Sequence, residues 1–122
     1  MEDKRKQMLT ALEEAEAGPT ERELLDAPML NPWRLELWSD HFRLYGECED
    51  HPDIDDRHVT TSPLLALNAN AGWARSRSRW YKVGPDFQTT EPDKTSEILK
   101  EVDQALATLR FQVRAGLQMT HS

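Results

Sequence analysis

The spacing of apolar residues changes twice along this chain, and that change limits the folds open to it. Apolar side chains recur every three or four positions before Asn31, alternate singly from Trp33, and return to helical spacing after Pro92. A period near 3.6 gives a helix one apolar face, whereas a period of 2 gives a strand one apolar face. The sequence therefore predicts an α+β fold in the order helix, sheet, helix.

Two helices are predicted before the sheet, which makes residues 4–27 a helical N-terminal segment. The first helix ends at Gly18-Pro19. The second begins at Thr20, because Thr20 and Glu23 have the spacing of a capping box, in which each side chain bonds the other residue's backbone amide. The apolar stripe of the first helix consists of Met8, Leu9, Leu12 and Ala15.

Residues 33–84 are predicted to form a small antiparallel sheet of four to five strands, or a partly closed barrel. Two runs of alternating residues flank Ser39-Asp40, and their inward side chains start at Trp33 and Phe42. Pro63 marks an edge or a bend, and the Asn-rich segment ending at Gly72 marks a turn.

The clearest helix is predicted over residues 93–115. Its apolar stripe consists of Ile98, Val102, Ala105, Leu109 and Val113. A helix of this length spans about 30 Å, more than a small sheet needs. We therefore expect the surplus to pack on the first helix or on a second copy of the chain in a homodimer, followed by a disordered tail over residues 116–122.

Length and composition indicate one domain over residues 1–122, enough to bury about two-thirds of the unfolded surface. The single Cys48 cannot form an internal disulfide. The charged segment Met1 to Lys6 is not followed by a long apolar run, so the sequence predicts neither a secretory signal nor a membrane span. A cytoplasmic location is expected.

Positive charge is concentrated in one segment of an acidic chain. The net charge is −7, yet residues 63–84 carry four basic and no acidic side chains. If this segment is a strand, alternate arginines share one side with aromatic neighbours, an arrangement suited to binding phosphates, carboxylates or flat rings. The residues predicted to bind a partner are Arg75, Arg77, Arg79, Trp73, Trp80, Tyr81, Lys82 and Trp38.

Two of these assignments have structural alternatives. The arginines would equally neutralise the acidic segment between Glu47 and Asp56, since opposite charges pair across strands. Trp38 lies on the opposite parity from Trp33, so it is either an exposed interface anchor beside Tyr45 or is covered by a helix.

No catalytic constellation is evident, and we do not expect an enzyme or a cofactor. The cluster of His51, Asp53, Asp55, Asp56 and His58 matches neither a zinc pattern nor the calcium loop, which favours a solvated turn and no metal. Cys48 and His51 would project to opposite faces of an extended segment, and Cys48 shares the parity of Phe42. A buried structural thiol is therefore predicted.

Residues 51–84 resemble a family of short, uncharacterised bacterial proteins, a domain of unknown function. The matching elements are His51-Pro52, Thr61-Ser62, Trp73-Ala74-Arg75 and Trp80-Tyr81-Lys82-Val83-Gly84. The resemblance implies a shared sheet-forming core, to which the C-terminal helix looks like an addition. It implies no activity.

Three classes of function remain. The first is a small non-catalytic interaction or regulatory protein that binds a protein partner through a basic and aromatic face. The second is an acidic inhibitor that mimics nucleic-acid charge, of the kind mobile elements use against restriction or RNA-guided defence. The third is a nucleic-acid-associated factor that uses the arginines, although the acidic chain is repelled from phosphate backbones.

Overall fold

The computed structural model describes residues 2–48, 51 and 57–119, and it confirms the α+β class with a helical pair before the sheets and a long helix after them. The helices are α1 (Glu2–Ala17), α2 (Glu21–Asp26) and α3 (Thr95–Met119), and one 3-10 turn (Pro92–Lys94) precedes α3. The strands are β1 (Met29–Leu30), β2 (Trp33–Trp38), β3 (His41–Glu47), β4 (His58–Thr60), β5 (Leu64–Asn68), β6 (Trp73–Ser76) and β7 (Trp80–Val83).

The strands form two sheets. One has the order β1-β7-β6-β5, with β1 parallel to β7 and the other pairs antiparallel. The other is the antiparallel sheet β2-β3-β4. Across the described ranges no barrel closes, and six strands lie within residues 33–84 instead of the four to five predicted there.

Local sequence signals set the turns and the start of α2. The Glu23 amide donates to the Thr20 hydroxyl at 3.1 Å and the Thr20 amide donates to the Glu23 carboxylate at 3.0 Å, so the predicted capping box is confirmed. Between β5 and β6, the Asn68 side chain accepts the Ala71 amide, and Gly72 takes a φ of 82°, which favours glycine.

The main core lies between the two sheets and α3. Its fully buried side chains include Leu30, Trp33, Leu44, Leu64 and Leu106. Trp33 joins the sheets, because its indole Nε1 on β2 donates to the Gly84 carbonyl after β7 at 2.8 Å and its ring lies 4.6 Å from that of Phe87. Because the indole N–H has a hydrogen-bond acceptor, burial of the Trp33 ring stabilises the fold without the cost of an unsatisfied donor.

The end of α3 that extends beyond the main core packs against a second apolar cluster. Ala11, Leu12 and Ala15 of α1 pack on Leu65 and Ala66 of β5. Val113 and Leu117 of α3 and Met8 of α1 pack around them. A register shift lets neighbouring residues of β5 face both cores. The surplus of α3 thus packs on the first helix, as one of the two alternatives predicted.

The exposed side of α3 differs from the predicted stripe. Ala105, which the spacing placed on the apolar stripe, is exposed, and Phe111 is 75% exposed. Among the described side chains of this helix, Phe111 is the large apolar residue that stays exposed, and the homodimer stays a prediction. The helix also continues to Met119, four residues past the end predicted at residue 115.

Candidate interaction surface

The basic segment does not form one strand. The Ser76 hydroxyl accepts the backbone amides of Ser78 and Arg79, each at 3.2 Å, and the Ser76 amide donates to the Arg79 carbonyl at 3.0 Å. A serine that satisfies turn amides in this way competes with strand extension. The chain therefore reverses between β6 and β7, and the expectation that Arg75, Arg77 and Arg79 share one side of a strand is wrong.

Arg75 is buried between the sheet and α1. It is 8% exposed, its Nη2 lies 2.9 Å from a Glu14 carboxylate oxygen, and its guanidinium carbon lies 5.4 Å from the centre of the Trp80 ring. Glu14 belongs to α1 and Trp80 is the cross-strand neighbour of Arg75. Arg75 therefore attaches the first helix to the sheet, and its carboxylate partner is not in the acidic segment that sequence reasoning proposed.

Trp80 and Lys82 attach α2 to the same sheet. The Trp80 indole donates to the Glu23 carboxylate at 3.1 Å, and the Lys82 ammonium donates to the Leu25 carbonyl at 3.1 Å. Trp73 completes this layer, since its ring meets that of Trp80 edge to face at 5.5 Å.

The remaining predicted residues are divided between the interior and the turn. Tyr81 lies on the opposite face, in the main core, where its hydroxyl is 3.1 Å from the Nε2 atom of His51. Because the chain reverses at residues 77–79, Trp80 faces the same side of the sheet as Arg75 and Tyr81 faces the other side. A single continuous strand would have placed Tyr81 on the side of Arg75. Arg77 is exposed at the turn and Arg79 is half-buried.

The Glu23 contacts predict a pH effect on stability. Hydrogen bonds from the Thr20 amide first, and then from the Thr20 hydroxyl and the Trp80 indole, hold the pKa of Glu23 below its ordinary value. A carboxyl with a lower pKa in the folded state adds stability above its unfolded pKa and loses it as pH falls through the folded pKa. Between about pH 5 and pH 3, the melting temperature of Glu23→Gln should therefore fall less than that of the wild type.

Glu21→Gln is the matched control, because it removes the same charge from the same helical turn without touching Trp80. It should keep the wild-type acid slope. Equal slopes for the wild type and Glu23→Gln would contradict this assignment.

The outer face of the β2-β3-β4 sheet carries charged and aromatic side chains, and the main contacts of the three described helices lie elsewhere. Helices α1 and α3 pack on β5, and α2 packs on β7. Cross-strand pairing places alternate residues of β2 and β3 on the outer face and their neighbours in the core. We call this face the outer-sheet surface, and its residues are Arg34, Glu36, Trp38, His41, Arg43, Tyr45, Glu47, His58 and Thr60.

Cations and rings alternate across the outer-sheet surface. The Arg43 guanidinium carbon lies 5.2 Å from the Trp38 ring centre, and that of Arg34 lies 4.3 Å from the Tyr45 ring centre. Tyr45 in turn stacks on His58 at 5.9 Å. Such contacts contribute about 0.5–1 kcal/mol each at exposed sites, so they orient the side chains more than they stabilise the fold.

A chain of hydrogen bonds fixes Arg43 over Trp38. Arg43 Nε donates to His41 Nε2 at 3.0 Å, so this nitrogen is the acceptor and His41 Nδ1 carries the proton toward Asp40, whose oxygen is 3.1 Å away. The bond from His41 holds the pKa of Asp40 below its ordinary value. Trp38 is 51% exposed beside this network, and Leu37 at the same hairpin end is 69% exposed.

Sequence reasoning found part of this surface. It left Trp38 either exposed beside Tyr45 or covered by a helix, and Trp38 is exposed on the same sheet face as Tyr45. It missed Arg34, His41 and Arg43, although the signal was present: charged and aromatic residues occupy opposed alternate positions of two strands joined by a short turn.

The family comparison covers nearly all of this architecture. A family model matches residues 3–115, from α1 to the last turns of α3. The chain belongs to DUF6634, a family of unknown function. The resemblance noted over residues 51–84 is therefore confirmed and extended, and the C-terminal helix is part of the DUF6634 region instead of an addition. No curated protein and no solved structure shows a match to the chain.

Within residues 2–48, 51 and 57–119, no group of three or more His, Cys, Asp and Glu side chains is placed to hold a metal ion. Asp53, Asp55 and Asp56 of the metal hypothesis lie outside the described residues. Cys48 is 3% exposed in the main core, as predicted. Among the described helices, none combines the length and apolar character needed to cross a bilayer.

Proposed function

We propose that this DUF6634 protein is a non-catalytic interaction or regulatory protein that binds a protein partner through its outer-sheet surface. The observation that carries the proposal is the half-exposed Trp38 with Arg43 fixed over its ring by His41 and Asp40. Trp, Tyr and Arg dominate binding hot spots, and this surface places all three side by side. Preorganised side chains lose less entropy when a partner binds.

The charge of the surface favours a protein over a nucleic acid. Arg34 and Arg43 are balanced there by Glu36 and Glu47, with Glu36 3.3 Å from Arg34. A balanced surface on a chain of net charge −7 gives little attraction to phosphate backbones. The half-exposed Trp38 supplies apolar area to this surface, which suits the centre of a protein interface.

Substitution of Trp38 tests the proposal once a partner has been captured with the full chain from a lysate of the host cell. Trp38→Ala should weaken the partner's Kd by about 30-fold or more, which corresponds to the loss of a hot spot of about 2 kcal/mol. Arg43→Ala should weaken it less, because it removes the support of Trp38 and one cation. Calorimetric titration of the purified pair provides the measurement.

Phe111→Ala is the matched control, since it truncates an aromatic side chain that is also exposed but lies on α3. It should leave the Kd within twofold of the wild type. Loss of binding in Phe111→Ala together with full binding by Trp38→Ala would move the interface to α3 and overturn the proposal.

A further inference from the structure

A basic cleft lies between α1 and the turn that joins β6 to β7. Its volume is about 520 Å³. Side chains with hydrogen-bond donors surround it, and none of its described lining residues is acidic. The polar residues of the lining are Lys6, Gln7, Thr10, Arg75, Arg77 and Ser78.

The charge of this cleft is opposite to that of the chain. Three lining residues are cationic, and Glu14, which pairs with Arg75, offsets one of them, so these groups leave a net charge of +2 in a protein of net charge −7. Clustered like charges raise the free energy of the empty site through mutual repulsion. A bound dianion would remove that repulsion.

Arg75, one of the lining residues, also has an unsatisfied donor. Arg75 Nε is buried and has no hydrogen-bond partner among the described residues, while Nη2 of the same guanidinium is bonded to Glu14. A buried donor without an acceptor is costly and uncommon. Because Nε is closed to solvent, an oxyanion in the cleft would supply the missing acceptor once the Arg75 side chain turns this atom toward the opening.

We propose that this cleft binds a phosphate group, either as the free ion or as the monoester of a small molecule. Two guanidinium groups, an ammonium, two hydroxyls and a side-chain amide suit an acceptor with several oxygens and a charge near −2. A carboxylate offers two oxygens and a charge of −1. The cleft and the outer-sheet surface lie on different sheets. Phosphate binding in the cleft is therefore separate from the proposed binding of a protein partner.

Calorimetric titration of the full chain tests this, with inorganic phosphate, glycerol phosphate and acetate as ligands. Both phosphates should bind, and acetate should bind at least tenfold more weakly. A glycerol phosphate Kd below that of inorganic phosphate supports a monoester as the ligand, whereas equal or tighter binding of inorganic phosphate supports the free ion.

Lys6→Gln and Arg77→Gln should each weaken phosphate binding by about tenfold, since each removes one exposed cation from the cleft. Arg22→Gln, on the exposed face of α2, is the control for net charge and should leave binding unchanged. Melting curves establish that each variant is folded.

Three results would overturn the proposal: no binding of either phosphate by the wild type at millimolar concentrations, acetate binding as tightly as phosphate, or the same loss in Arg22→Gln as in Arg77→Gln. Binding of a single-stranded oligonucleotide more tightly than of glycerol phosphate would also overturn it, in favour of a nucleic-acid site.

Discussion

Leu106→Asp should unfold the protein or come close to doing so. Leu106 is 0% exposed in the main core, where α3 packs against β5. The substitution deletes a buried leucine, which alone costs about 2–5 kcal/mol, and adds a carboxyl group without a partner, which costs several more. Because domains of this size are stable by about 5–15 kcal/mol, the sum removes most or all of the stability.

Ala105→Asp is the control on the same helix, one position earlier. Ala105 was placed on the apolar stripe by its spacing, but it is exposed, so the change should cost less than about 1 kcal/mol. Leu109, which is partly buried at the edge of the core, should give an intermediate loss when changed to aspartate. Urea unfolding followed by circular dichroism orders the three variants.

An equal loss in Ala105→Asp and Leu106→Asp would contradict the orientation of α3. A wild-type urea midpoint for Leu106→Asp would show that α3 does not contribute to the core at all. The spacing pattern alone places both Ala105 and Leu109 on the apolar stripe, so it predicts equal losses of stability for their aspartate variants. The structure predicts a smaller loss for Ala105→Asp.

The helices and their ends could be predicted because their signals are local. The capping box needs only Thr20 and Glu23, and the stop after α1 needs only Gly18-Pro19. The spacing of α3 predicted its buried position at Val102. Each of these features depends on residues within about one or two helical turns of one another.

The division into two sheets could not be predicted in the same way. β1 is two residues long and pairs in parallel with β7, from the far end of the β region, so its identity as a strand depends on its partner. The break between β6 and β7 depends on the Ser76 hydroxyl, whose hydrogen bonds reverse the chain where charge alternation favoured an extended strand. Strand propensity has little meaning outside such context.

The candidate surface shows the same limit. Strand parity placed Trp38 on the outer face, because alternation is a local property. Parity does not show whether a helix covers a face, and α1 and α2 cover the face that bears Arg75 and Trp80. A basic and aromatic segment was therefore interpreted as a surface, when part of it joins the helices to a sheet.

Arg75→Ala should lower the melting temperature strongly, whereas Arg77→Ala should not. Arg75 bonds Glu14, which lies 61 residues away on α1, and contacts the Trp80 ring. Removal of one partner of a largely buried ion pair costs about 3–5 kcal/mol, and because the Glu14 side chain is 39% exposed we expect the lower half of that range. Arg77 is exposed at the turn, where loss of a charge costs less than about 0.5 kcal/mol.

A double-mutant cycle with Glu14→Ala shows whether the loss comes from this pair. The double variant should be more stable than the sum of the two single losses predicts, since either single change leaves one charge without its partner. Partner binding measured on the same proteins completes the test. If Arg75→Ala melts like the wild type and loses the partner, the interface lies on the basic segment and not on the outer-sheet surface. If it melts early and still binds the partner, Arg75 is a structural residue, and the functional reading of the basic segment is confined to its exposed turn.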